Sequence, residues 1–146
     1  MADYFTNFSV LVSLPNEEAQ QYALALAHAA TVTYQGDEPP EGFPASLAEV
    51  IDDWQFETGP SDKTNLWLHS DSGAIDAVCA FIQHLLQRYA PGDCVGIEWS
   101  NDCSKPRLDA FGGGAAIITA TTIKSLTTGE WLHRHMARIA ARKKGG

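Results

Sequence analysis

Phe8, Val10, Val12 and Leu14 alternate with Ser9, Leu11 and Ser13. That two-residue period belongs to a strand with one buried face and predicts a first strand over residues 5–14. Pro15, Asn16, Glu17 and Glu18 follow, placing a capping side chain and two acids where a helix N-terminus favours them. A first helix then runs through Ala19, Tyr22, Ala23, Leu26 and Ala30. Gly36, Pro39, Pro40, Gly42 and Pro44 predict a loop over 34–45. Ser46 with Glu49 matches a capping box that opens a short helical turn. Residues 54–58 and 65–69 read as short strands joined by the turn cluster Gly59-Pro60-Ser61-Asp62-Lys63.

Ser70-Asp71-Ser72-Gly73 offers several N-caps to a second long helix, which carries Ile75, Val78, Cys79, Ile82, Leu85 and Leu86 at helical spacing. Pro91 and Gly92 end it, and Val95, Ile97 and Trp99 then share one side of a strand over 95–100. A further strand is expected over 115–120, and Thr127-Thr128-Gly129-Glu130 caps a final helix through Trp131, Leu132, Met136 and Ile139. The order β-α-β-β-α-β-β-α defines an α+β chain. Its first six elements predict a ferredoxin-like β-α-β-β-α-β core with an added C-terminal strand and helix. In that arrangement two helices cover one face of an antiparallel sheet and the other face stays partly open. Residues 1–142 are expected to form one domain, with 143–146 a flexible basic tail closed by Gly145 and Gly146.

Charge changes this picture more than composition does. The net charge of −8 conceals a division: residues 1–62 hold eleven acids and no Lys or Arg, and the remainder holds seven acids and all ten bases. Arg134, Arg138, Arg142, Lys143 and Lys144 gather at the end. An anionic half suits a basic partner, or serves only as a solvated surface that keeps the chain dispersed. Direct nucleic-acid binding is disfavoured, because phosphate affinity needs clustered Lys and Arg. No apolar run is long enough to cross a bilayer, Met1-Ala2-Asp3-Tyr4 lacks a basic leader, and Cys79, Cys94 and Cys103 cannot all pair within one chain. The expectation is a cytoplasmic protein with reduced thiols and no membrane partner.

One segment stands apart. Residues 101–114 are longer than a simple hairpin needs and end in Gly112-Gly113-Gly114, which permits a very close approach by other atoms. Lys105 and Arg107 lie within it, and the planar guanidinium of Arg107 suits an anion or a carboxylate. The plain alternative is a wide hairpin whose glycines solve a packing problem. The run Trp99-Ser100-Asn101-Asp102-Cys103-Ser104-Lys105-Pro106-Arg107-Leu108-Asp109-Ala110-Phe111-Gly112-Gly113-Gly114-Ala115, with Trp131-Leu132 downstream, resembles a signature of small acidic bacterial proteins of no established chemistry, often carried by plasmids and phages. The resemblance covers the last third of the chain. It implies a mobile-element setting, in which small acidic proteins bind and block host nucleic-acid-handling or defence complexes in the manner of anti-CRISPR proteins and nucleic-acid mimics.

The leading expectation is therefore a non-enzymatic inhibitor or interaction protein that binds a complex with a basic surface. Asp37, Glu38, Glu41, Asp52, Asp53, Cys103, Lys105, Arg107, Phe111 and Trp67 are its candidate partner-binding residues. The rival is a small enzyme or ligand-binding domain. Strand parity puts Glu57, Trp67, His69 and Glu98 on the open face with Ser9, Leu11 and Ser13, and Arg107 would complete a site with Glu57, His69 and Glu98. Cys103 with His69 would make a nucleophilic pair if the loop folds back. Trp67 also permits an RNA-stacking platform, though the aromatic signature of that fold is missing. A homo-oligomer joining basic C-terminal helices to acidic surfaces is a further possibility. Trp54 and Trp99 are expected in the core; Trp67 and Trp131 are candidate interface anchors. No metal or cofactor motif emerges, since His133 and His135 fall on different sides of their helix.

Overall fold

The computed structural model describes residues 2–108 and 110–145. Met1, Asp109 of the expected long loop, and Gly146 of the terminal glycine pair lie outside the described residues. Strand β1 (Tyr4–Val12) leads into helix α1 (Glu17–Tyr34), whose first turn is capped by Asn16 Oδ1 accepting from Ala19 N at 2.8 Å. A short turn α2 (Ala45–Ala48) and a 3-10 turn (Ile51–Asp53) precede the hairpin β2 (Glu57–Ser61) and β3 (Asn65–Ser70). Helix α3 (Ile75–Tyr89) follows, then β4 (Cys94–Cys103), β5 (Gly112–Thr119), β6 (Ile123–Thr127) and helix α4 (Thr128–Gly145).

The six strands form one sheet in the order β2-β3-β1-β4-β5-β6, every named pair antiparallel. Phe8, Val12, Leu66, Leu68, Ile97, Ala116 and Ile118 point to one face and join a core with Ala23, Leu26, Val78, Phe81, Ile82 and Leu85 of α1 and α3. The small residues Ala19, Ala23, Ala27 and Ala30 give α1 a narrow buried stripe that lets it lie close to the strands. Gln20, the one buried polar side chain among the described residues, donates to the carbonyls of Asp62 (3.2 Å) and Asn65 (2.8 Å), so α1 holds the β2–β3 turn directly.

Several boundaries differ from the expectations, each for a local reason. The second strand starts at Glu57 because Trp54 and Phe56 turn into the core, with ring centroids 4.7 Å apart and Trp54 packed edge-on to Phe81 at 5.4 Å. Gly59, Pro60 and Ser61 then belong to the strand, and Pro60 is tolerated because β2 is a sheet edge. The Ser46–Glu49 capping box does not form; Pro44 caps α2, and its carbonyl accepts from Leu47 N and Ala48 N at 3.1 Å.

Nor do Ser70, Asp71 or Ser72 cap α3. Gly73 (φ 94°) and Ala74 (φ 71°) reverse the chain, and Ser70 Oγ is taken up by Gln55 O at 2.7 Å and Ser72 N at 2.9 Å. The cap is supplied from elsewhere: Asp53 Oδ2 accepts from Ala77 N at 3.4 Å.

The long loop is shorter than its sequence suggests. β4 continues to Cys103 and β5 begins at Gly112, leaving residues 104–111 between them. The glycines are strand residues that make room for Trp99: a Cβ on Gly113 would overlap the Trp99 carbonyl, and one on Gly114 would overlap the Trp99 ring. The packing explanation therefore accounts for Gly113 and Gly114. Strand β6 was not expected, because Ile123, Lys124, Ser125 and Leu126 are all exposed and bury no alternating face. The final helix does begin at the expected cap, with Thr127 Oγ1 accepting from Glu130 N at 3.3 Å, and it runs through Lys143 and Lys144 to Gly145.

Candidate functional site: a groove and a charged surface

Along β1 the hydrogen-bond partner changes. Residues 4–7 pair with residues 100–103 of β4, and residues 8–12 pair with residues 66–70 of β3. A groove of about 870 Å³ lies at this changeover, lined by Asn7, Ser9, Glu57, His69, Glu98 and Ser100, among others. These six alternate to the face opposite α1 and α3. Strand parity thus brings together Glu57, His69 and Glu98 as the sequence suggested, with His69 opposite both Ser9 and Glu57 in register.

Within the groove His69 Nε2 stands 3.5 Å from Glu57 Oε2, and the His69 ring stacks on Trp67 with centroids 3.8 Å apart at 25°. Trp67 Nε1–H donates to Ser9 Oγ at 2.7 Å, which fixes the indole against β1. Trp67 is held by these two contacts while remaining 45% exposed. Asn7, Gln55 and Ser100 add amide and hydroxyl groups that sequence reasoning missed, because their positions depend on the register and not on parity alone.

Other candidates are not joined to this site. Arg107 does not line the groove; it sits exposed in the 104–111 segment, where its N–H donates to Lys105 O at 2.8 Å. The four-residue site expected of Glu57, His69, Glu98 and Arg107 is therefore reduced to three. Cys103 pairs with Tyr4, five positions along β1 from the Ser9 that faces His69, a separation of about 16 Å. The Cys103–His69 pair does not form. Leu108 (95% exposed) and Phe111 (57%) make the segment partly apolar, with Lys105 exposed between them and β4.

The acidic candidates divide as well. Asp37, Glu38 and Glu41 lie exposed on the segment after α1, and Asp52 is exposed on the 3-10 turn. Asp53 is half-buried, and burial pushes its carboxyl above the ordinary value while the Ala77 amide opposes that shift. Asp53 is thus a structural cap for α3. Among the described residues the one histidine–carboxylate contact is His69–Glu57, and no Lys or Arg comes within 4.0 Å of a carboxylate. Among the described residues, Asp37, Glu38, Glu41 and Asp52 and the basic side chains of α4 form no Lys/Arg–carboxylate pair.

A cluster the sequence did not signal joins the two long helices. Tyr22 Oη and His84 Nε2 share a hydrogen bond at 2.8 Å, and the Arg88 guanidinium lies 4.1 Å from the Tyr22 ring centre. Burial, then the nearby Arg88 charge, lowers the His84 pKa. The i, i+4 spacing of His84 and Arg88 on α3 was the legible part; their meeting with Tyr22 required the packing of α1. The Cys79 thiol is buried, and desolvation with the Asp76 charge pushes its pKa up to about 11, so it is no nucleophile at neutral pH.

Among the described residues no group of three or more His, Cys, Asp or Glu is arranged to hold a metal ion, and no helix is long and apolar enough to cross a membrane. No protein-family model matches the chain, and comparisons with curated proteins and with solved structures found no match.

Proposed function

We propose that this chain is a non-enzymatic interaction protein of a bacterial mobile element, acting in the cytoplasm. It binds a basic, nucleic-acid-handling or defence complex in competition with nucleic acid, as an anti-CRISPR-like inhibitor or nucleic-acid mimic. The observation that carries this reading is the uncompensated acidic surface: Asp37, Glu38, Glu41 and Asp52 are exposed and lack a Lys or Arg partner. Charges left in that state raise the rate of encounter with an oppositely charged surface and weaken steeply with salt. Trp67 supplies an aromatic anchor on the open sheet face. We further read β1 to β4 with α1 and α3 as a ferredoxin-like core extended by β5, β6 and α4. The order β2-β3-β1-β4, all antiparallel with both long helices on one face, supports that reading.

The test is capture from a bacterial lysate by the intact protein and by a variant carrying Asp37→Lys, Glu38→Lys, Glu41→Lys and Asp52→Lys. Asp53 is left unaltered because it caps α3. The wild type is expected to retain a basic protein complex that elutes with rising salt and is displaced by nucleic acid; the variant is expected to lose it. Equal capture by both proteins refutes the charge reading. The groove favours a second reading, a ligand pocket at Glu57, His69 and Glu98. Saturable chemical-shift changes confined to those three residues on titration with small cationic or polyhydroxyl ligands would establish it, and the absence of any shift would dismiss it.

A further inference from the structure

Helix α4 is 18 residues long and has no buried residue. Isolated helices of this length are marginal in water, and most helical stability in proteins comes from packing an apolar face. α4 has such a face: Leu132, Met136 and Ile139 recur at helical spacing and are 52–66% exposed, with Trp131 beside them at 47%. Arg134, Arg138 and Arg142 recur every four residues in a row alongside, and the helix holds five bases against one acid. The foot of α4 is fixed by Thr128 Oγ1, which accepts from Gly113 N at 3.1 Å. From there its side chains remain in solvent.

The same chain leaves a matching surface uncovered. On the helix-bearing side of the sheet, between α3 and β6, runs a groove of about 520 Å³ with Val50, Ile75, Ala80 and Ile123 among its apolar lining and Glu49 and Asp76 as its carboxylates. Thr127, next to the foot of α4, also lines it, yet α4 itself does not cover it. The apolar stripe fits the apolar lining, and the arginine row fits Glu49 and Asp76.

We propose that α4 docks into this groove on a second copy of the chain, each copy giving its helix and receiving the other's, so that a closed two-fold dimer results. The occupant is a second copy because helix and groove carry opposite, internally unpaired charge and occur on the same molecule once each. Among the described residues neither Glu49 and Asp76 nor the arginine row has a salt-bridge partner. The dimer covers the apolar stripe and pairs the basic helix with Glu49 and Asp76, leaving the open face with Trp67 and the first groove free.

Light scattering coupled to size-exclusion chromatography on the full chain tests this. The wild type is expected at twice the single-chain mass of 15.8 kDa at low salt, shifting toward 15.8 kDa as salt rises. Met136→Asp with Ile139→Asp on the helix, and separately Ala80→Arg in the groove, are each expected to give 15.8 kDa with an unchanged circular dichroism spectrum for the remainder. A monomeric wild type at low salt overturns the proposal. A dimer that survives the helix variant, or survives the groove variant, also overturns it, because the association then uses another surface. The lysate capture described above reads Asp37, Glu38, Glu41 and Asp52, none of which lines this groove, so either result can fail without the other.

Discussion

Gly114→Ala is the sharpest test of how the sheet is built around Trp99. The added methyl would overlap the indole at Cζ2 and would lie 2.6 Å from both Trp99 Cε2 and the Leu126 carbonyl oxygen. One wall is a large ring and the other is the backbone of β6, so no flexible side-chain end can give way. Overpacking of a closed site costs about 1–3 kcal/mol, and two unyielding walls place this site near the top, about 2–3 kcal/mol. For a chain of this size that lowers the melting temperature by roughly 5–10 °C. Thermal unfolding followed by circular dichroism, with urea unfolding as a second measure, reads the effect. Gly96→Ala on the neighbouring strand is the control: a Cβ there meets nothing within 4 Å, and the change is expected to stay within about 0.5 kcal/mol. Combining Gly114→Ala with Trp99→Leu removes the ring and should recover about 1–2 kcal/mol of the glycine penalty as coupling. If Gly114→Ala melts with the wild type, the account of the glycines as space for Trp99 is wrong.

Three further outcomes concern polar side chains that are buried, as Gln20 is, or half-buried, as Asp53 and His84 are. Gln20→Ala leaves the Asp62 and Asn65 carbonyls without their donor and is expected to cost about 1–3 kcal/mol, well above the neighbouring exposed Gln21→Ala, in urea unfolding. Asp53→Ala removes the cap of α3 and is expected to cost about 0.5–2 kcal/mol, whereas Asp52→Ala, one residue away and exposed, is expected to be nearly neutral. His84 has a lowered pKa in the folded chain, so below its ordinary value of 6.5 the unfolded chain takes up a proton that the folded chain resists. Its effect on stability is absent above that value and destabilises as pH falls toward the folded pKa. Urea midpoints measured across about pH 5 to 8 should therefore slope less in His84→Gln than in the wild type.

The long helices were legible because Asn16 and the Ile75–Leu86 spacing are local signals, and the three-residue cluster on the open face followed from the period of two. What escaped was set by partners distant in sequence. Asp53 reads as one more acid until Ala77 is placed beside it, and the glycine run reads as a flexible loop until Trp99 lies across it. Residues 101–103 look like loop because Asn101, Asp102 and Cys103 are poor strand formers. Their ladder with Tyr4, Phe5 and Thr6 overrides that preference. β6 carries no periodic burial at all, so its pairing with β5 alone defines it.

The stack of Trp67 on His69 gives the open groove an optical reporter of its own. At a centroid distance of 3.8 Å the two rings are in contact. The emission of Trp67 therefore responds to any molecule that moves the His69 ring away from it. Trp54 is enclosed in the core, Trp99 lines the groove from a half-buried position, and Trp131 senses the far end of the molecule. Replacing Trp131 with Phe would leave Trp67 as the one strongly exposed emitter, so occupancy of the groove could be followed by light in unlabelled protein.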